Sequence, residues 1–203
     1  MLNIRPSYGR ALGALGVACF VLITLVVAYR FTPPIAWRVG EQDAFVFNGF
    51  HDLETANQIL FRWSDGASAV RLPQVGQSTF GLVALQTWGP GTLPPVPLTI
   101  VANQERLLTT SMHGLRVLHL LVPGQVIAGG DVHFDLLSPT WRPANDQRDL
   151  GIGIARVSWQ SSRPLLPPVQ QLWVLPTLAL SLALLLTRLG LNSVTAGVSG
   201  ALV

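Results

Sequence analysis

Nineteen consecutive uncharged residues, Ala11 to Tyr29, stand between Arg10 and Arg30, and this run sets what the chain can be. In a helix rising about 1.5 Å per residue it reaches roughly 28 Å, close to the ~30 Å hydrocarbon core of a bilayer. It is long enough to span. Tyr8 and Tyr29 are the only tyrosines in the chain, and both fall at its ends, where interfacial aromatic rings sit. A cleaved secretion signal competes, since Arg5 and Arg10 supply a positive lead, but the run exceeds the usual span of about 7–15 residues. No small-x-small cleavage site follows it, and Cys19 lies in mid-run where a lipoprotein signal would end on its Cys. An uncleaved anchor over residues 11–31 is expected, after a cytoplasmic stretch 1–10.

A second apolar run, Leu172 to Thr187, is closed by Arg188 and preceded by a proline-rich linker over 164–171 with Pro164, Pro167 and Pro168. Sixteen residues reach only about 24 Å, so Gln170, Gln171 and a snorkelling Arg188 complete the crossing at the interface. The expectation is a transmembrane helix over 172–188, with Trp173 in the aromatic belt and Pro176 near the first turn. Residues 189–203 are uncharged but hold Gly190, Asn192, Gly197 and Gly200. They are expected to begin a third helix cut short, as in the front part of a longer multi-pass protein.

All 13 basic side chains are Arg, set against 10 acids. Nine of the Arg and all ten acids lie between Thr32 and Pro168, a net charge of −1 there. The surplus that raises the pI to about 10.0 therefore belongs to the membrane flanks, and nucleic acid is excluded as a partner because no basic face forms. By the positive-inside rule Arg5, Arg10 and Arg188 face the cytoplasm, which places the middle of the chain outside. The setting is the cell (inner) membrane. One Cys excludes a disulfide scaffold.

Residues 32–163 read as short strands between turns, with no amphipathic helix. Asp131 to Leu136 alternates strictly, Val132, Phe134 and Leu136 inward and Asp131, His133 and Asp135 outward. Further strands are expected at 44–47, 58–63, 79–86, 98–102, 115–122 and 151–159. Turns are expected at Ser64-Asp65-Gly66, Gly89-Pro90-Gly91, Pro94-Pro95, Pro123-Gly124 and Gly129-Gly130. Seven or more strands in this length imply a mainly β, jelly-roll-like antiparallel sandwich between two transmembrane helices.

The order of features carries a resemblance. Phe61-Arg62-Trp63-Ser64, Leu72-Pro73, Pro94-Pro95 with Leu98 to Asn103, Val122-Pro123, Gly130-Asp131, Ser138 to Pro143 and Asp146 to Gly151 follow one another over residues 40–160. This resembles the galactose-binding-like β-sandwich of uncharacterised bacterial multi-pass membrane proteins of glycosyltransferase-associated type. The resemblance implies a sandwich held outside the membrane between the first two helices.

No Gly-x-Ser-x-Gly elbow is present, and His51, His113, His119 and His133 lack metal-ligand spacing, so no catalytic residue, metal or cofactor is assigned. Asp52 and Glu54 are spaced as a carboxylate pair but read as surface. Asp146, Arg148 and Asp149 form the most informative polar cluster. A guanidinium there can pin the loop from Pro139 to Asp149 to a carboxylate, which makes the three structural. Trp88 and Trp141 stand beside Gly-Pro and Arg-Pro, where a ring could stack on a sugar while Arg142, Asn145 and Asp146 bond its hydroxyls. The expected function is a membrane-anchored, non-enzymatic protein whose sandwich binds a glycan or a partner protein. The alternatives are the N-terminal part of a multi-pass glycosyltransferase-like enzyme and a structural subunit of a membrane complex. The lipid bilayer is a partner in all three.

Overall fold

The structure, a computed structural model, describes residues 6–41, 45–91, 94–127, 129–144, 146–163 and 165–189, with side chains from Leu12 onward. Asn145 and the expected third helix, from residue 190 on, lie outside the described residues. The chain divides into two units, Met1–Thr32 with Leu166–Val203, and Pro33–Leu165.

The first unit is a pair of helices, α1 (Pro6–Arg30) and α2 (Val169–Arg188). Both are long and apolar enough to cross a membrane. Their seam is made of small side chains, with Ala14 buried in α1 and Ala179, Ala183 and Thr187 buried one turn apart along α2. Large apolar groups point away from it: Phe20, Ile23 and Leu178 are each about 60% exposed. Small residues in the contact and large ones outside are how helices pack in lipid, where apolar burial between them contributes little. The Tyr29 hydroxyl donates to Gln171 Oε1 at 2.9 Å, tying the end of α1 to the start of α2. The second helix begins three residues before the apolar run, because Pro168 with φ −54° supplies a ready-made entry. Pro176 consequently lies about two turns in, instead of near the first turn.

The second unit contains ten strands among the described residues: β1 (Ile35–Arg38), β2 (Phe47–Phe50), β3 (Glu54–Ala56), β4 (Ile59–Leu72), β5 (Phe80–Trp88), β6 (Val96–Ala102), β7 (Glu105–Met112), β8 (Leu115–Pro123), β9 (Val132–Leu137) and β10 (Gly153–Ser161). All their pairings are antiparallel. One layer runs β1-β10-β5-β8 and the other β2-β4-β9-β6-β7. Inward side chains of the first layer, Val83, Leu85, Val122 and Val157, meet Val70, Leu98, Ile100 and Phe134 of the second in one buried cluster. Each such burial contributes roughly 1.5–3 kcal/mol, and the period of two delivers it from both layers. The molecule is a mainly β, jelly-roll-like sandwich flanked by two helices, the fold class the sequence implied.

The sequence pattern left β1, β3 and β7 unmarked, the strand expected at 44–47 begins only at Phe47 and runs to Phe50, and one expected turn does not turn. Ser64-Asp65-Gly66 lies within β4, whose first half pairs with β10 at Arg62 and Trp63 and whose second half pairs with β9 from Ala67 to Leu72. Gly66, at φ +98°, bends the strand from one layer to the other, and a Cβ there would sit 2.7 Å from Thr140 Cγ2. Ser64 fastens the crossing: its amide donates to Ile152 O at 2.7 Å and its Oγ accepts from Ile152 N at 2.9 Å. The hairpins β3–β4 and β6–β7 both turn on Asn-Gln pairs with positive φ, 51° and 65° at Asn57-Gln58 and 45° and 75° at Asn103-Gln104. Left-handed values at both positions match the twist of paired strands.

Candidate functional site

One end of the sandwich carries the polar cluster seen in the sequence. Trp141 and Leu150 exchange two backbone hydrogen bonds of 2.8 Å, closing the loop between them into a compact lobe. Inside it the Arg148 guanidinium grips Asp146 with Nε at 3.0 Å from both carboxylate oxygens, while the Arg148 amide donates to Asp146 Oδ1 at 3.0 Å. These bonds hold the Asp146 carboxyl down at about 2, below its ordinary 3.8. Arg148 Nη2 also lies 2.7 Å from Glu54 Oε1 of β3, an ion contact without hydrogen-bond alignment. Arg142 pairs bidentately with Asp149, Nη2 to Oδ2 at 2.8 Å, in the open. His51 Nε2 lies 2.9 Å from Asp149 O and Arg62 Nη1 donates to His51 O at 3.0 Å. The lobe is thus tied to β3 and β4 through His51, Glu54 and Arg62. Glu54 faces a guanidinium and not Asp52, and among the described residues no group of three or more His, Cys, Asp or Glu could hold a metal ion.

Rings pave the base of this end. Trp88, Phe61, Trp63 and Trp141 follow one another at centroid distances of 4.9, 5.5 and 5.9 Å, the favoured tilted and edge-to-face spacing. Gly153 makes room, since its Cβ would meet Trp88 Cβ at 3.0 Å and Phe61 Cδ2 at 3.3 Å. Trp88 is therefore the last residue of β5 and not a loop residue, and both it and Trp141 are half-buried. The Trp141 indole Nε1 is buried with no hydrogen-bond partner.

A second surface was not legible in the sequence. On the outer face of β2, β4 and β9 a cavity of about 470 Å³ is lined by Phe45, Asn48, Arg71, Asp131 and His133, among others. The Phe45 ring is 90% exposed. Arg71 Nη2 lies 3.4 Å from Asp131 Oδ2, Asp131 Oδ1 accepts from Gln74 N at 2.7 Å, and His133 Nε2 is 3.0 Å from Asp135 Oδ1. Cross-strand register places Arg71 opposite His133, 62 positions away in the chain. The one signal available was the outward phase of Asp131, His133 and Asp135.

No family model and no curated protein matches this sequence. Solved structures are similar in fold. The C-terminal CBM6 of LamC, a marine laminarinase from Zobellia galactanivorans, is similar at 10% identity and a TM-score of 0.41 over 64% of this chain and 100% of that one. A family 35 carbohydrate-binding module from Clostridium thermocellum gives 10% identity and 0.43 over the same shares. A family 35 module from an environmental isolate gives 12% and 0.39, covering 66% of this chain and 96% of that one.

Proposed function

We propose that this protein is a membrane-anchored, non-catalytic binding protein whose sandwich faces the cell exterior and takes up a neutral sugar polymer. The observation that carries the reading is the Phe45 cavity. A ring 90% exposed offers a flat apolar face to a hexose, while Asn48, Arg71, Asp131 and His133 around it present donors and acceptors for hydroxyls. The cavity volume of about 470 Å³ suits one or two sugar rings. Such sites are weak, with affinity around 1 mM, or about 4 kcal/mol. The sequence-expected set Trp88, Trp141, Arg142 and Asp146 is the rival surface, favoured by the unpartnered Trp141 indole. For the anchor, support comes from two apolar helices with exposed large side chains and from the Arg residues at their flanks.

The test is a glycan array followed by NMR titration of the full-length protein in detergent micelles. The binding glycan should shift the Phe45 ring and His133 signals, and Phe45→Ala should weaken it about fivefold, the worth of one stacked ring. Shifts confined to the Trp88 and Trp141 indoles move the site to the loop end. If no glycan perturbs either set, the sugar reading fails and the structural-subunit reading takes its place.

A further inference from the structure

Arg38 of β1 and Arg156 of β10 are direct cross-strand partners, and both are exposed. Like charges directly opposite on neighbouring strands repel. Among the described residues neither guanidinium makes an ion pair. Gln86 of β5 stands opposite Arg156 on its other side, extending the row across three strands. The turn after β1 builds a wall: Glu41 N donates to Arg38 O at 3.1 Å, with Gly40 at φ +90° between them. The tip of the β3–β4 hairpin supplies Gln58 and Leu60. Together these side chains enclose a cavity of about 310 Å³ on the outer face of β1 and β10.

The geometry points to a binding site for a hydroxylated monoanion, a carboxylate or phosphodiester borne on a sugar or polyol body, seated between the Arg38 and Arg156 guanidiniums. Two Arg and one Glu leave the cavity one positive charge in excess, which a single anionic group neutralises. Guanidinium forks match carboxylate and phosphate oxygens bidentately. The volume exceeds what a bare anion fills, about ten waters' share of liquid, and the Gln58 and Gln86 amides offer donors and acceptors for hydroxyl groups. This site lies on the layer opposite the Phe45 cavity and stands independently of it.

The test titrates the full-length protein in micelles with glucuronate, with glycerophosphoglycerol and with neutral glucose, reading the Arg Nε–H signals. Glucuronate or glycerophosphoglycerol should shift the Arg38 and Arg156 signals, the stronger of the two naming the source of the anion, and glucose should not. Binding should weaken as salt rises, since the exposed charges are screened. Arg38→Gln and Arg156→Gln should each weaken it about tenfold while leaving the protein folded and no less heat-resistant, because each removes a repulsion. Phe45→Ala should leave it unchanged, which separates this site from the sugar site. Absence of shifts with both anions, equal shifts with glucose, or full binding by the doubly substituted protein would overturn the proposal.

Discussion

Arg148 touches two carboxylates that come from different elements, Asp146 of the lobe and Glu54 of β3. Asp146 titrates at about 2 instead of 3.8 because Arg148 hydrogen-bonds its ionised form. A carboxyl lowered on folding stabilises the native state above its unfolded value, and that contribution disappears as pH falls through the folded one. The melting temperature of the wild type should therefore exceed that of Asp146→Asn at pH 5, and the gap should close between pH 3.8 and about 2. Thermal melts at the two ends of that window check it, and a gap that stays constant would remove the pair from the account. Arg148→Ala should let Asp146 titrate near its ordinary value, followed by carboxyl NMR. The guanidinium is 36% exposed, so solvent screens the pair and the accompanying loss of melting temperature should be no more than a few degrees. The sequence showed Asp146, Arg148 and Asp149 as a cluster because they are neighbours in the chain. It could not show Glu54 as the second partner or Arg142 as the partner of Asp149, since side-chain direction in a closed lobe depends on the Trp141–Leu150 bridge.

Among the elements, legibility followed burial. Strand β9 alternates fully between buried and open positions, as do most of β5 and β6, so period two was visible in their residues. Strand β7 is half-buried or exposed until Met112 and left no such trace. The Asn57-Gln58 and Asn103-Gln104 turns lack the Gly that usually marks a two-residue hairpin, so neither was read. Close approach between elements gives a sharper prediction. Gly81 of β5 lies under Trp159 of β10, and a Cβ at Gly81 would sit 2.1 Å from the Trp159 ring. Trp159 is 2% exposed and its Nε1 donates to Ser161 Oγ at 2.7 Å. Gly81→Ala should destabilise the sandwich by about 2–3 kcal/mol, with near-ultraviolet dichroism and Trp159 fluorescence reporting the displaced ring. An unchanged melting temperature would mean the layers give way more easily than their packing implies.

For the whole molecule, the topology proposal has its own measurement. Reporter fusions after Arg188 should read as cytoplasmic and one at Gly91 as external, and a cytoplasmic signal at Gly91 would reverse the orientation drawn from the Arg flanks. The helices were legible because an uncharged run needs no partner to be recognised. Their shared seam of Ala14, Ala179 and Ala183 was not, because small residues are equally common on both faces until a neighbour selects one. The pairing of Ile35 with Trp159 has a consequence in time. The first strand of the sandwich finds its neighbour only in the last, so during synthesis β1 must wait for more than a hundred residues to emerge. Closing a loop of that length opposes folding by about 4 kcal/mol. Until β10 arrives, β4 and β5 each present an open edge, the feature through which nascent β chains join one another. A ribosome halted before Gly153 would therefore release a chain with most of its strands and no means of sealing them.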